Sequence, residues 1–383
     1  MPFYELTQWP LLALTLVFLA ASVTVAVAVL PRHRGPGPGK YLLQAASIVM
    51  VTVLSIIALF LKLNADNQWY SSWADLLNGD IAGPAQTTVL GAPVKKVIRE
   101  APATSGRFTQ LQSNPALNPD FGSQVKPKAA AGQWVSFTFT GPTTGISQDV
   151  AVWLPPSYLK HPRRAYPLIT AFSGYPGSPA TYIQTLHYDR TVQDQVSQGR
   201  LREPLVVVPD MFPANLDTEC VDGSDGKYES YVAVDLVNWI RKNLRTVDNP
   251  QAWATTGYSA GGWCATMFSV LHPRQWASSI NFAGYFAPDY SPHQRWNTVR
   301  DPRYNLGTVV ARHRPAVAIW FFSGGDDRRP LRSLAAFEPQ VSAPTSLVTN
   351  ISEFGGHRLN IWRPQMGSSL AWLGSVSGYF APP

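Results

Sequence analysis

Charge and cysteine are both scarce in this chain. Asp, Glu, Lys and Arg make up 14% of its 383 residues, and there are two cysteines. Charge this low is what membrane spans and a large buried sheet produce by dilution. The formal net charge of +7 would suit a polyanionic partner. No Lys/Arg run interleaved with aromatics occurs, however, so nucleic acid is not an expected partner. The surplus serves solubility first, and affinity for anionic lipid or wall polymer second. Neither C-x-x-C nor H-E-x-x-H is found, so no metal site is expected and no cofactor is implied. No internal repeat is visible, and nothing bears on oligomeric state.

From two stretches charge is missing altogether: Leu11 to Leu30 and Tyr41 to Leu61. At 1.5 Å per residue each reaches about 30 Å, the thickness of a bilayer core. Both are too long for a signal-peptide core, and no basic residue precedes the first. Two transmembrane helices are expected, over about 11–30 and 41–63. The loop between them carries Arg32, Arg34 and Lys40, so the positive-inside rule makes it cytoplasmic and turns both termini outward. Trp9, Trp69, Tyr70 and Trp73 suit an aromatic belt on the outer side. The competing reading is a buried helical hairpin in a soluble protein. The layout expected is an anchor over 1–64, an extracytoplasmic linker over 65–130 and a catalytic domain over 131–383. Within the linker, Leu76-Leu77 and Val94 to Ile98 are candidates for short ordered pieces.

The richest signal is Gly257-Tyr258-Ser259-Ala260-Gly261, which fits the nucleophile elbow G-x-S-x-G. Trp253 to Thr256 reads as a short buried strand before it, and Gly262 to Phe268 reads as the start of an apolar helix after it. Such a turn holds the serine hydroxyl clear of the backbone and aims the next amide, that of Ala260, at the oxyanion formed after attack. Alone the motif is weak, because Gly and Ser are common. Its weight comes from an acid and a base candidate further along the chain, in the order Ser, Asp, His.

The acid candidates end the apolar run Ala316 to Phe322, which continues Ser323-Gly324-Gly325-Asp326-Asp327. A buried strand running into a glycine loop delivers a carboxylate to the carboxyl end of an open α/β sheet, where such sheets place their sites. Asp327 is favoured, because the spacing from Gly324 lets the loop turn inward; Asp326 is the alternative. The base candidate is His357 in Glu353-Phe354-Gly355-Gly356-His357, after the strand-like Thr345 to Ile351. The other histidines adjoin prolines, lie in the membrane loop or break the chain order.

A second oxyanion donor should come from the loop after an early strand. Pro167 to Phe172 is that strand, and Ser173-Gly174-Tyr175-Pro176-Gly177 is the loop. The amide of Tyr175 is the first choice and Gly174 the second; Pro176 has no N–H. Further segments, Val206 to Asp210, a helix over Tyr228 to Leu244 and a strand at Ser279 to Gly284, alternate as a parallel sheet covered on both faces requires. In the helix, Ala233, Val237, Ile240 and Leu244 form the buried stripe, with Arg241, Lys242 and Asn243 outside it. The aromatic segment Tyr285 to Arg303 either walls an acyl pocket or simply packs.

From about Gln133 onward the chain resembles the esterase D and antigen-85-type branch of the α/β-hydrolases. The resemblance rests on Val150-Ala151-Val152-Trp153-Leu154-Pro155-Pro156-Ser157-Tyr158, Val206-Val207-Val208-Pro209-Asp210, the elbow, and Gly355-Gly356-His357 with Trp362 five residues on. It is similar in layout to actinobacterial membrane-anchored esterases. The 173–177 loop sits where esterases carry a His-Gly loop, with serine in place of histidine. The mycolyltransferases of that branch use a Ser-Glu-His triad and an aspartate-rich substrate loop. Here the acid is Asp and that loop is not evident, which points away from mycolate transfer and toward general acyl-ester chemistry.

The expected fold is therefore an α/β-hydrolase preceded by two transmembrane helices. Its expected chemistry is a Ser259-His357-Asp327 triad in a serine esterase or acyltransferase of the cytoplasmic membrane, acting outside it on envelope lipid or acylated glycan. Cys220, in the loop after the Val206 strand, and Cys264, in the elbow helix, fall at the same sheet edge, so a disulfide is expected. A hydrolase fold without activity, serving as an envelope-binding scaffold, is the competing function.

Overall fold

Runs rich in apolar residues form the inner strands Leu205–Pro209 and Ala318–Ser323 of a mostly parallel sheet. The computed structural model describes residues 6–32, 38–67, 69–70, 72–77, 83–91, 124–125, 132–161, 163–290 and 301–382. Val94 to Ile98 lies outside the described residues. By internal contacts the chain divides into two compact units. One comprises Met1–Pro84, Gly324–Asp327 and Glu353–Ile361; the other comprises Ala85–Ser323, Arg328–Ser352 and Trp362–Pro383.

The larger unit holds the sheet. Its strands are β1 (Ala85–Leu90), β2 (Gln133–Thr140), β3 (Ser147–Leu154), β4 (Leu168–Phe172), β5 (Leu205–Pro209), the two-residue pair β6 (Asp222–Gly223) and β7 (Gly226–Lys227), β8 (Trp253–Tyr258), β9 (Ser278–Phe282), β10 (Ala318–Ser323) and β11 (Ser346–Ser352). Among the described residues nine of these form one sheet in the order β1-β11-β10-β9-β8-β4-β5-β3-β2. From β5 through β4 and β8 to β11 neighbours run parallel, and antiparallel strands flank them on both sides.

Burial explains the residue choice. β5 (Leu-Val-Val-Val-Pro) and β10 (Ala-Ile-Trp-Phe-Phe-Ser) are buried at every position, as strands covered on both faces must be. Edge strand β2 alternates instead, with Val135, Phe137 and Phe139 inward and Ser136, Thr138 and Thr140 outward. Each fully buried large apolar side chain stabilises the fold by roughly 1.5–3 kcal/mol. β1 is a strand the sequence does not announce: Ala-Gln-Thr-Thr-Val-Leu is almost wholly exposed. It lies within the segment read as linker and pairs antiparallel with β11 from Ala85↔Ser352 to Leu90↔Leu347.

The helix expected over Tyr228 to Leu244 forms over Tyr228–Asn243, with a wide turn at Tyr231–Leu236. One face assignment is corrected. Asn243 is buried, not outside the stripe. Its Nδ2 donates to the Trp239 carbonyl at 2.8 Å, so the last turn of its own helix satisfies the polar head.

The smaller unit begins with α1 (Trp9–Thr24), which continues through Val25–Val29 to Arg32, and α2 (Pro38–Asn67), followed by the short α3 (Trp73–Leu77). The helical stretches Trp9–Arg32 and Pro38–Asp66, 24 and 29 residues, are long and apolar enough to cross a membrane. At 1.5 Å per residue they reach about 36 and 44 Å. Val17, Phe18, Ile48, Ile56 and Leu59 are all exposed. The hydroxyls of Thr15, Thr24, Thr52 and Ser55 each donate to the carbonyl four residues earlier. Such bonds remove the cost of a hydroxyl in an apolar surrounding.

Candidate active site

β4 and β8 are neighbours in the sheet, and at this point its connections depart in opposite directions. A crevice opens outside the carboxyl ends at such a switch point. Ser259 follows β8 there, and the loop Ser173–Gly177 follows β4.

Ser259 has φ 55° and ψ −128°, a conformation rare for a residue with a side chain and typical of a nucleophile elbow. Its N–H donates to the Phe282 carbonyl at 2.8 Å, and its own carbonyl accepts from Gly262 at 2.9 Å. The flanking glycines are required by space. A Cβ on Gly257 would sit 2.0 Å from the Gly261 carbonyl oxygen, and one on Gly261 would sit 2.2 Å from that of Phe172. The turn therefore presses between β4 and the helix Ala260–Leu271, whose first residue is the expected oxyanion donor Ala260.

The 173–177 loop lies against the serine. A Cβ on Gly174 would come within 3.0 Å of the Ser259 Cβ and 2.9 Å of the Tyr258 ring. Tyr258, the variable residue of the motif, is buried, and burial raises its pKa, an effect that Thr181, Ser173 and the Gly174 backbone partly offset. Its ring packs against Gly174 and so seats the loop on the elbow, a role that its place in the motif does not reveal. Ser173, standing where esterases carry histidine, donates its hydroxyl to the Ser178 carbonyl at 2.7 Å and so closes the loop on itself. Tyr175 donates its phenol to the Asn215 carbonyl at 3.0 Å.

The acid and base candidates lie in the smaller unit, on loops that continue β10 and β11. His357 Nδ1 and Asp327 Oδ2 are 2.6 Å apart, with side chains 21% and 1% exposed. Asp326 does something else: its Oδ2 accepts from the Gly355 N–H at 3.1 Å, and its own N–H donates to the Gly355 carbonyl at 3.3 Å. These bonds lash the two loops together. Gly324 is there because a Cβ would fall 2.0 Å from the Gly355 carbonyl oxygen.

Cys220 and Cys264 are joined in a disulfide with Cα atoms 5.7 Å apart, tying the loop after β5 to the elbow helix. Beside it Glu219 is buried. Burial, and then the charge of Asp217, push its carboxyl well above the usual range. Tyr285 donates its hydroxyl to Glu219, and the Trp263 indole donates to the Glu219 carbonyl at 2.8 Å. Tyr285 stacks on Trp263 at 6.1 Å and Phe286 on Phe337 at 3.9 Å, so these two aromatics pack rather than line an open wall. No cluster of metal-ligating side chains is found among the described residues.

A model of the Esterase family, described as "Putative esterase", matches residues 142–373, more than half of the chain. Over 315 residues, 75% of this chain and 73% of the other, it is 22% identical to an uncharacterized protein of Corynebacterium glutamicum. Among solved structures it is similar to a ferulic acid esterase, at 17% identity over 64% of this chain and 98% of that one, with a TM-score of 0.56. It is also similar to an S-formylglutathione hydrolase from Agrobacterium tumefaciens, at 18% identity over 65% and 96%, with a TM-score of 0.54. At these identities the structural likenesses establish the fold, and the matched family supplies the reaction class. The chain belongs to the Esterase family, and it is a carboxylic ester hydrolase built on the α/β-hydrolase fold.

Proposed function

We propose that the chain is a membrane-anchored serine esterase in which Ser259 is the nucleophile, His357 the general base and Asp327 the acid that orients it. The Asp327–His357 hydrogen bond, from a carboxylate sealed from solvent, carries this reading. With Nδ1 held by the carboxylate, Nε2 takes the proton as Ser259 Oγ attacks the ester carbonyl. The Ala260 and Tyr175 amides meet the oxyanion, each such donor lowering the barrier by about 3 kcal/mol. The alcohol leaves with the proton from His357, and water then releases the acid; an alcohol in place of water makes the same step an acyl transfer.

Two apolar helices of spanning length support the anchor, and a disulfide supports an oxidising compartment outside the cytoplasmic membrane. Arg32, Arg34 and Lys40 between the helices orient the catalytic domain outward. A tethered enzyme meets lipid-borne esters at high local concentration, so envelope lipids or acylated glycans are the substrate class. Ser259→Ala should abolish hydrolysis of short p-nitrophenyl esters without lowering the unfolding midpoint. A fully active variant would remove the nucleophile from this scheme.

A further inference from the structure

We infer that the chain leaving α2, through Trp69, Tyr70 and Asp75, holds the loop that carries His357, with Asp75 as a positioning residue, so that ester cleavage depends on the chain's own membrane-proximal segment. The inference rests on His357 being the base.

The residue after His357 is the one gripped. Arg358, its side chain 10% exposed, directs Nη1 to both carboxylate oxygens of Asp75 at 3.0 Å, and Asp75 is 1% exposed. Nη1 also donates to the Trp69 carbonyl at 2.9 Å, and the guanidinium lies over the Tyr70 ring, 4.6 Å from its centre. Tyr70 therefore serves as a platform for a cation. Tyr70 is itself tied to α2. Asn64, fully buried near the end of that helix, accepts from the Tyr70 N–H at 2.8 Å and donates to its carbonyl at 2.7 Å. The Asp75 N–H donates to Ser72 Oγ at 3.1 Å, which fixes the start of α3.

The other end of the His357 loop is held by the same part of the chain. Glu353 donates its N–H to the Pro84 carbonyl at 3.0 Å. Gly83 packs so closely that a Cβ there would lie 2.7 Å from the Phe354 ring. Residues 353 and 358 thus bracket His357 and are each fastened to the chain between α2 and β1. A buried ion pair is a poor device for stability alone, because desolvating two charges offsets most of their attraction. What it supplies is one fixed geometry, and an imidazole displaced by about 1 Å can cost on the order of 100-fold in rate.

The test uses full-length protein in detergent micelles with a short p-nitrophenyl ester. Asp75→Asn, which keeps the side-chain shape, and Arg358→Lys, which keeps the charge, are compared with wild type and with Ser259→Ala. Asp75→Asn is expected to lower kcat by about 10- to 100-fold with KM within about twofold, and to shift the acid limb of kcat/KM. Arg358→Lys should fall between it and wild type. A stability role alone would lower the unfolding midpoint and leave the kcat of the folded fraction and the pH profile in place. Wild-type kcat and pH profile in folded Asp75→Asn, with Ser259→Ala inactive, overturns the clamp alone. Activity retained in Ser259→Ala overturns the catalytic reading and the clamp with it.

Discussion

His357 Nδ1 lies 2.6 Å from Asp327 Oδ2, while the adjacent carboxylate of Asp326 turns to the Gly355 backbone. Two neighbouring acids thus have different work. Asp327→Asn should lower kcat by about 10⁴-fold, because an amide stabilises the wrong imidazole tautomer. Asp326→Asn, whose amide oxygen can still accept the Gly355 N–H, should cost less than about tenfold. Steady-state kinetics on the two variants decides, and the reverse order would transfer the triad acid to Asp326.

Gly261 tests the packing of the elbow separately from its chemistry. The Cβ of Gly261→Ala would meet the Phe172 and Ser173 carbonyl oxygens at 2.2 and 2.4 Å. Backbone of β4 and its loop must move, at a cost of about 1–3 kcal/mol. A lower midpoint in thermal unfolding is expected; an unchanged one would mean that the turn has room the geometry denies.

The disulfide closes a sequence separation of 44 residues between two fully buried cysteines. Replacing both by serine should cost about 2–5 kcal/mol in denaturant unfolding, and reductant should then have no further effect. Equal stability of the oxidised wild type and the double variant would show that the elbow helix needs no tie to the loop after β5.

Much of this was legible in the sequence, and for physical reasons. Parallel strands buried on both faces are rich in apolar residues, so β5 and β10 stand out as runs. The elbow is legible because close approach of β4, Ser259 and the helix leaves only glycine at 257 and 261. β1 was hidden because its polar, exposed residues gain a reason to be a strand only from β11; Thr87 and Asn350, bonded at 2.8 Å, are 263 positions apart. The spacing from Gly324 favours Asp327 over Asp326, but that Asp326 bonds the Gly355 backbone, 29 positions on, leaves no sign in that spacing. The Arg358–Asp75 pair, 283 positions apart, leaves no local trace.

Glu219 gives a pH test with a definite sign. Burial, then the charge of Asp217, raise its carboxyl above the ordinary 4.5. A raised acid contributes stability that is complete below its unfolded value and is lost as pH rises through the folded value. Relative to Glu219→Gln, the wild type should therefore lose unfolding midpoint steadily as pH is raised above the ordinary carboxylate range. Parallel curves for the two proteins would mean that Glu219 ionises in the fold as it does unfolded.

The most direct measurement of the central claim is peptide mapping of the full-length protein after reaction with a fluorophosphonate probe. One stable phosphonyl adduct is expected, on Ser259, absent in Ser259→Ala and formed more slowly in His357→Ala. An adduct on another serine, or labelling unchanged by loss of His357, would contradict it.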